Sequence, residues 1–244
     1  MKYSLLGLVF FCNQAYTQMS SSGLASEFKE MAGVGKRQSG FEGMQAFGTG
    51  KILGTQFLGE GWSKGMLVTF HNDTLQNKLL FLFDKVKQEV YMKKEGSEDI
   101  FVADKQQLKE FFILSVTKKI RFINAGVFQP ELAGQLLMAM HSDQDSILTT
   151  ISLFKKVNAE FQKYDPENME LVKAGMMNDA FIDKPLYYFL ENNRFSNPFK
   201  LNKTNILKAI SDKKIKAKAW EYFNQNDNLE IDEQFMLGLI KYIN

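Results

Sequence analysis

The sequence predicts an α+β fold: an antiparallel β meander that curls into a sandwich or partial barrel, followed by a short C-terminal helical tail. Three observations predict it. From Lys51 onward, apolar side chains recur with period two. Polar turn residues interrupt them every roughly 8 to 14 positions. After Phe195 the period becomes helical, with a capping residue at each start.

The alternation begins where Met66, Val68 and Phe70 take turns with Leu67, Thr69 and His71, and Asn72-Asp73 supplies a turn. Leu79, Phe81 and Phe83 repeat it, as do Val90 with Met92, Ile100 with Val102, and Ile120 with Phe122. Residues 132–141 and 147–157 extend the meander or form helices, and residues 158–183 show no legible pattern. KPLYYFLENNRF reads as a last hairpin, which sets the β domain at residues 51–195. In the tail, residues 196–244, Asn202 caps a helix carrying Ile206, Leu207 and Ile210, with Leu201 placed to staple against Ile206. Ser211 or Asp212 starts a second helix, where Ile215, Ala219 and Phe223 share one face. Asp232 caps a third, with Ile231 stapling to Met236 and with Phe235, Leu239, Ile240 and Ile243 facing inward.

The N-terminal 50 residues read differently. Lys2, the apolar run of residues 3–11, and the small residues Ala15 and Thr17 have the three-part layout of a signal peptide cleaved after residue 17. The run is far shorter than the roughly 20 residues a membrane-spanning helix needs. Bulky Phe11 before Cys12 argues against a lipoprotein anchor. Residues 18–50 form a leader rich in Gly and Ser, holding seven of the 17 glycines, with a short helix expected around residues 26–31. Cleavage removes Cys12, the single cysteine, so no disulfide staples the remainder and its stability comes from an ordinary core. It also removes Lys2 from the 30 basic residues, leaving a near-neutral chain that gives no reason to expect nucleic acid. The expected location is outside the cytoplasm, periplasmic or extracellular.

Trp62 followed by Gly65 at the start of the meander, the Tyr187-Tyr188 pair before a polar turn, and a Lys-rich tail ending Tyr242-Ile243-Asn244 resemble uncharacterised secreted proteins of Bacteroidetes-type bacteria. The resemblance covers residues 51–142 and 185–244 and implies export of a β domain with a helical tail. The Gly-rich leader lies outside it, and Ile243 stands where the pattern has another aromatic.

Several motifs bear on chemistry. Gly61-Trp62-Ser63-Lys64-Gly65 matches the nucleophile elbow of serine hydrolases, with His141 as the base. That reading needs a helix after Lys64, whereas residues 66–71 alternate like a strand. Ser115-Val116-Thr117-Lys118 matches one element of penicillin-binding enzymes without its partners. NQNDNLEIDEQF imitates a calcium loop but lacks glycine at position six and puts Phe235 where a glutamate belongs. His71 and His141 have no cysteine to join them in a zinc site, and Gly48-Thr49-Gly50-Lys51 lacks the phosphate-loop spacing, so no cofactor or metal is expected. Asp73-Thr74-Leu75 and Asp145-Ser146-Ile147 look like O-glycosylation acceptors in the same bacteria.

The expected function is binding of an envelope ligand or protein without catalysis, with serine hydrolysis through Ser63 as the alternative. Trp62, Phe70, Tyr91 and Phe112 are the aromatic candidates for its pocket. In the tail, Lys200, Lys203, Lys208, Lys213, Lys214, Lys216 and Lys218 face one acid, Asp212, and offer contact with an anionic surface.

Overall fold

The computed structural model describes residues 52–76, 78–114, 119–140, 150–165, 167–168 and 178–244, together with the backbone of one strand, Gly35–Arg37. The helix expected near residues 26–31, His141, and the motifs at 48–51, 115–118 and 145–147 lie outside the described residues. Fourteen strands and three α-helices are described. They are β1 (Gly35–Arg37), β2 (Ser63–Thr69), β3 (Thr74–Leu75), β4 (Leu79–Asp84), β5 (Glu89–Lys94), β6 (Ile100–Ala103), β7 (Leu108–Leu114), β8 (Lys119–Asn124), β9 (Leu136–Ala139), β10 (Ile151–Lys156), β11 (Ala159–Gln162), β12 (Ala180–Asp183), β13 (Leu186–Glu191) and β14 (Arg194–Phe195). The helices are α1 (Lys203–Ala209), α2 (Lys213–Gln225) and α3 (Glu233–Ile243).

One antiparallel sheet runs β1-β6-β5-β4-β2-β7-β8-β9-β10-β13-β14, with β3 beside β2. Consecutive strands β6 and β7 are joined by a four-residue turn whose Gln107 and Leu108 amides donate to the Asp104 carbonyl at 3.0 and 3.2 Å. Yet β5, β4 and β2 lie between them in the sheet. Four inter-strand steps on a flat sheet span about 19 Å, and a tight turn spans less than about 7 Å. The sheet must therefore curl at these strands. It does not close, because β6 pairs with β1, from within the leader, and not with β7.

The inside of the curl is aromatic. Phe111 and Phe122 face each other in register on β7 and β8 and stack with centroids 4.5 Å apart, and Phe83 of β4 reaches them at 5.9 and 4.9 Å. Each is fully buried, worth about 1.5–3 kcal/mol of transfer free energy. On β2 the inward row is Gly65, Leu67 and Thr69, so Met66 and Val68 lie on the outer face.

β9, β10, β13 and β14 carry a core on each face. Ile151, Leu153, Tyr187 and Phe189 meet the helices, packing on Ile206, Ile215, Phe223, Phe235 and Leu239. Phe154, Tyr188 and Leu190 point the other way, against Phe195, Phe128 and Leu132. The caps are those the sequence names: Asn202 accepts from Asn205 N, Asp212 from Lys214 and Ile215 N, and Asp232 from Phe235 N. The two staple residues, Leu201 and Ile231, pack against the same core as Ile206 and Met236. The Asn244 side chain exchanges two hydrogen bonds with the Ile151 backbone at 3.0 and 2.9 Å, fastening the end of α3 to the start of β10.

Within the described parts of residues 132–141 and 147–157 the strands β9 and β10 form. Within 158–183, β11 and β12 form a separate two-stranded sheet. Lys85, buried at the end of β4, pairs with Asp183 of β12 at 2.6 Å. Among the described residues no helix is long and apolar enough to cross a membrane.

Asp84, beside Lys85, is buried. Its Oδ1 accepts from Val86 and Lys87 N at 2.8 Å each, while Oδ2 has no partner among the described residues. Burial pushes its carboxyl above the usual range, the two amides pulling the other way. The folded state therefore binds this proton more tightly than the unfolded chain. The stability it contributes is full below the ordinary carboxylate pKa of about 3.9 and is lost as pH rises through the folded value. Wild type should gain stability relative to Asp84→Asn as pH falls from neutral towards that range, read from urea midpoints. A difference that does not move with pH would show that the carboxyl titrates alike in the folded and unfolded chain.

Candidate ligand groove on the outer sheet face

The outer face of the curl carries two of the four aromatic candidates. Side chains directly opposite on neighbouring strands share a face. Met66 pairs with Phe112 and Phe112 with Arg121, while Lys64 pairs with Leu80 and Leu80 with Lys93. Trp62, two residues before Lys64, joins this face, and Lys93 Nζ sits over its ring at 5.0 Å. Lys119 Nζ lies over the Phe112 ring at 4.1 Å, and the Arg121 guanidinium is 5.6 Å from it. Arg121 is held there by Glu110, which accepts from Nη2 at 2.6 Å and from Nε at 2.9 Å.

Between these strands runs an open groove of about 460 Å³. Its floor is apolar: Met66, Leu80, Phe112 and Leu114, the last 46% exposed. Lys64, Lys78 and Lys119 stand around it with one acid, Glu95. The volume lies in the range of small-molecule sites, about 300–1,000 Å³. A cation above an aromatic face is attracted by the ring quadrupole, which biases Lys119 towards the floor, where a bound anion would meet it.

The other two candidates lie elsewhere. Tyr91 is 1% exposed, and its hydroxyl donates to Glu89 at 2.8 Å. Burial, then that hydrogen bond, pushes its pKa up. Phe70 follows β2 at the turn, 41% exposed, where its amide donates to the Gln107 carbonyl. The pairing of β2 with β7 shifts register between Val68 and Thr69, just before it, and Phe70 does not line the groove.

Ser63 opens β2, and its Oγ donates to the Gly61 carbonyl at 3.4 Å. The strand-to-helix turn of a nucleophile elbow is not formed, since β2 continues to Thr69. In the calcium-loop imitation, Asn224 and Gln225 belong to α2, and an oxygen of Asp232 is engaged in capping α3. Among the described residues, no group of three or more acidic, His or Cys side chains is placed to hold a metal ion.

The tail lysines part ways. Lys203 lies over Trp220 at 4.2 Å and donates to Asn224, and Lys218 donates to the Ile243 carbonyl at 2.7 Å. Lys213 and Lys214 are exposed in the first turn of α2 and Lys216 is half-buried. Lys200 and Lys208 line a different groove. Lys64, Lys78 and Lys119 escaped the sequence reading because they are 14 or more positions apart and meet only through the strand register.

No family model matches the chain, and no curated protein or solved structure matches it.

Proposed function

We propose that this is an exported, non-catalytic binding protein whose sheet groove takes an amphipathic anion, an apolar body with a carboxylate or similar head. The observation that carries the reading is the apolar floor of Met66, Leu80, Phe112 and Leu114 ringed by Lys64, Lys78 and Lys119. Covering about 100 Å² of such a floor is worth roughly 2.5 kcal/mol, and an ionised head beside the lysines adds charge-assisted hydrogen bonds. Export rests on the N-terminal layout of Lys2, residues 3–11 and Ala15 to Thr17, and accords with the resemblance to secreted Bacteroidetes-type proteins.

Calorimetry with decanoate and its neutral counterpart decanol tests the ligand class. Decanoate is expected to bind at least about tenfold tighter, a difference of roughly 1.4 kcal/mol, and the double variant Lys64→Ala/Lys119→Ala should erase the preference. Equal affinities, or a preference that survives the double variant, would remove the groove from the account. The intact mass of protein from the source cell envelope should correspond to residues 18–244. Recovery of an uncleaved chain from the cytoplasm would sink the export half alone.

A further inference from the structure

A second groove, of about 850 Å³, lies elsewhere, between the β13–β14 hairpin and α1. Its frame is fixed at every side. Asn192 and Asn193 turn the hairpin with φ of 51° and 59°, the left-handed pair that a two-residue turn of matching twist requires. Phe199 and Tyr187 exchange backbone hydrogen bonds at 2.9 Å, which returns the chain beside the hairpin. Ile206 and Ile210, both fully buried, seat α1 on the core.

Three cations line this groove: Arg194 from the hairpin, Lys200 before α1 and Lys208 from its last turn. All three are exposed. The groove's single acid, Glu191, is buried and already engaged. One carboxylate oxygen accepts from Ser211 N at 3.2 Å and from Ser211 Oγ at 2.9 Å, the other from Asp212 N at 2.9 Å. Glu191 is thus a clamp between the hairpin and the start of α2, and its hydrogen bonds at a helix N-terminus partly offset its charge. Lys200 and Lys208 form no ion pair among the described residues; Arg194 feels Glu131 from outside the groove. The lining therefore carries three positive charges, one compensated negative charge, and the side-chain amides of Asn197 and Asn205 as further hydrogen-bonding groups.

We propose that this groove is a second binding site, for a small molecule carrying two or more anionic oxygens as carboxylates or phosphates. Arg194 supplies a planar fork suited to either group, and the lysines act as point charges from the opposite wall. Its more polar lining distinguishes it from the apolar-floored sheet groove.

The test is calorimetry on the full chain with citrate and, separately, pyrophosphate. One of them should bind with one-to-one stoichiometry, more weakly as salt is raised, and the tighter of the two identifies the chemical class. Arg194→Ala and Lys208→Ala should each weaken it at least tenfold, whereas Lys213→Ala on α2 and Lys64→Ala in the sheet groove should leave it unchanged. Because Arg194 and Lys208 are exposed, their variants should keep the wild-type urea midpoint, which separates lost binding from lost fold. Absence of binding by both probes, equal losses in Lys213→Ala, or abolition by Lys64→Ala would each overturn the second site. Arg194 and Lys208 do not line the decanoate groove, so either reading can fail alone.

Discussion

Replacing Gly65 with alanine is expected to destabilise the protein by about 3 kcal/mol, whereas replacing Ser63, two residues earlier, should change stability by less than about 0.5 kcal/mol. At Gly65, β2 changes partners: Ser63 and Lys64 pair with β4, while residues 65–69 pair with β7. The backbones crowd there. A Cβ at position 65 would lie 2.2 Å from the Phe112 carbonyl oxygen and 2.7 Å from Phe81 Cδ2. Neither can yield cheaply, because one is backbone inside a ladder and the other is a fully buried ring. Glycine within a strand commonly marks such a close approach. For a chain of this size the loss corresponds to a fall in Tm of roughly 6–12 °C. The motif Gly-x-Ser-x-Gly thus acquires a mechanical explanation in which the glycine matters and the serine does not. Labelling of the intact protein by a fluorophosphonate, abolished in Ser63→Ala, would restore the nucleophile reading.

Asn124→Ala is expected to cost about 4 kcal/mol, again by urea unfolding. Asn124 is fully buried at the end of β8, and its amide is used completely. Nδ2 donates to the Lys105 and Leu108 carbonyls at 2.7 Å each, while Oδ1 accepts from Gly126 and Gly134 N at 2.9 and 3.0 Å. Alanine would leave two carbonyls and two amides without that partner, each orphan costing about 1–3 kcal/mol before water relieves some of them. The location raises the stakes, since one carbonyl belongs to the β6–β7 turn that forces the sheet to curl and the other to the first residue of β7. Asn124→Asp keeps an acceptor for the two amides but turns a negative charge towards the two carbonyls. It should therefore recover stability as acidification protonates it. A cost below about 1 kcal/mol for alanine would show that solvent already serves these groups.

Neither position advertises itself in the sequence. Asn124 looks like a strand-end polar residue, and Gly65 looks like half of a catalytic motif. What they do depends mostly on partners 10 to 47 positions away. The helical tail was legible for the opposite reason. Asn202, Asp212 and Asp232 act within three residues of themselves, so capping is written locally. The hairpin at Asn192-Asn193 was legible on the same ground. β7 was not legible: LKEFFIL has no clean alternation, because Phe111 is buried inside the curl and Phe112 is 6% exposed on the outer face beneath Lys119.

The candidate grooves follow the same division. Of the four aromatics the sequence offered for a pocket or contact face, Trp62 and Phe112 lie on the outer face beneath cations, whereas Tyr91 is buried and Phe70 sits at the turn after β2. The sequence counted the tail lysines without assigning them, and the fold spent Lys203 and Lys218 on structure while sending Lys200 and Lys208 to join Arg194.

By itself, then, the sequence determined the class of fold, the helix boundaries and most of the strands, because periodicity, caps and turns act over a few residues. Only the tertiary structure decided the curl, the role of Gly65 and which cations meet around which floor. These depend on the pairing order of strands distant in the chain, and a lysine's surroundings are set by its cross-strand neighbours as much as by its place in the chain.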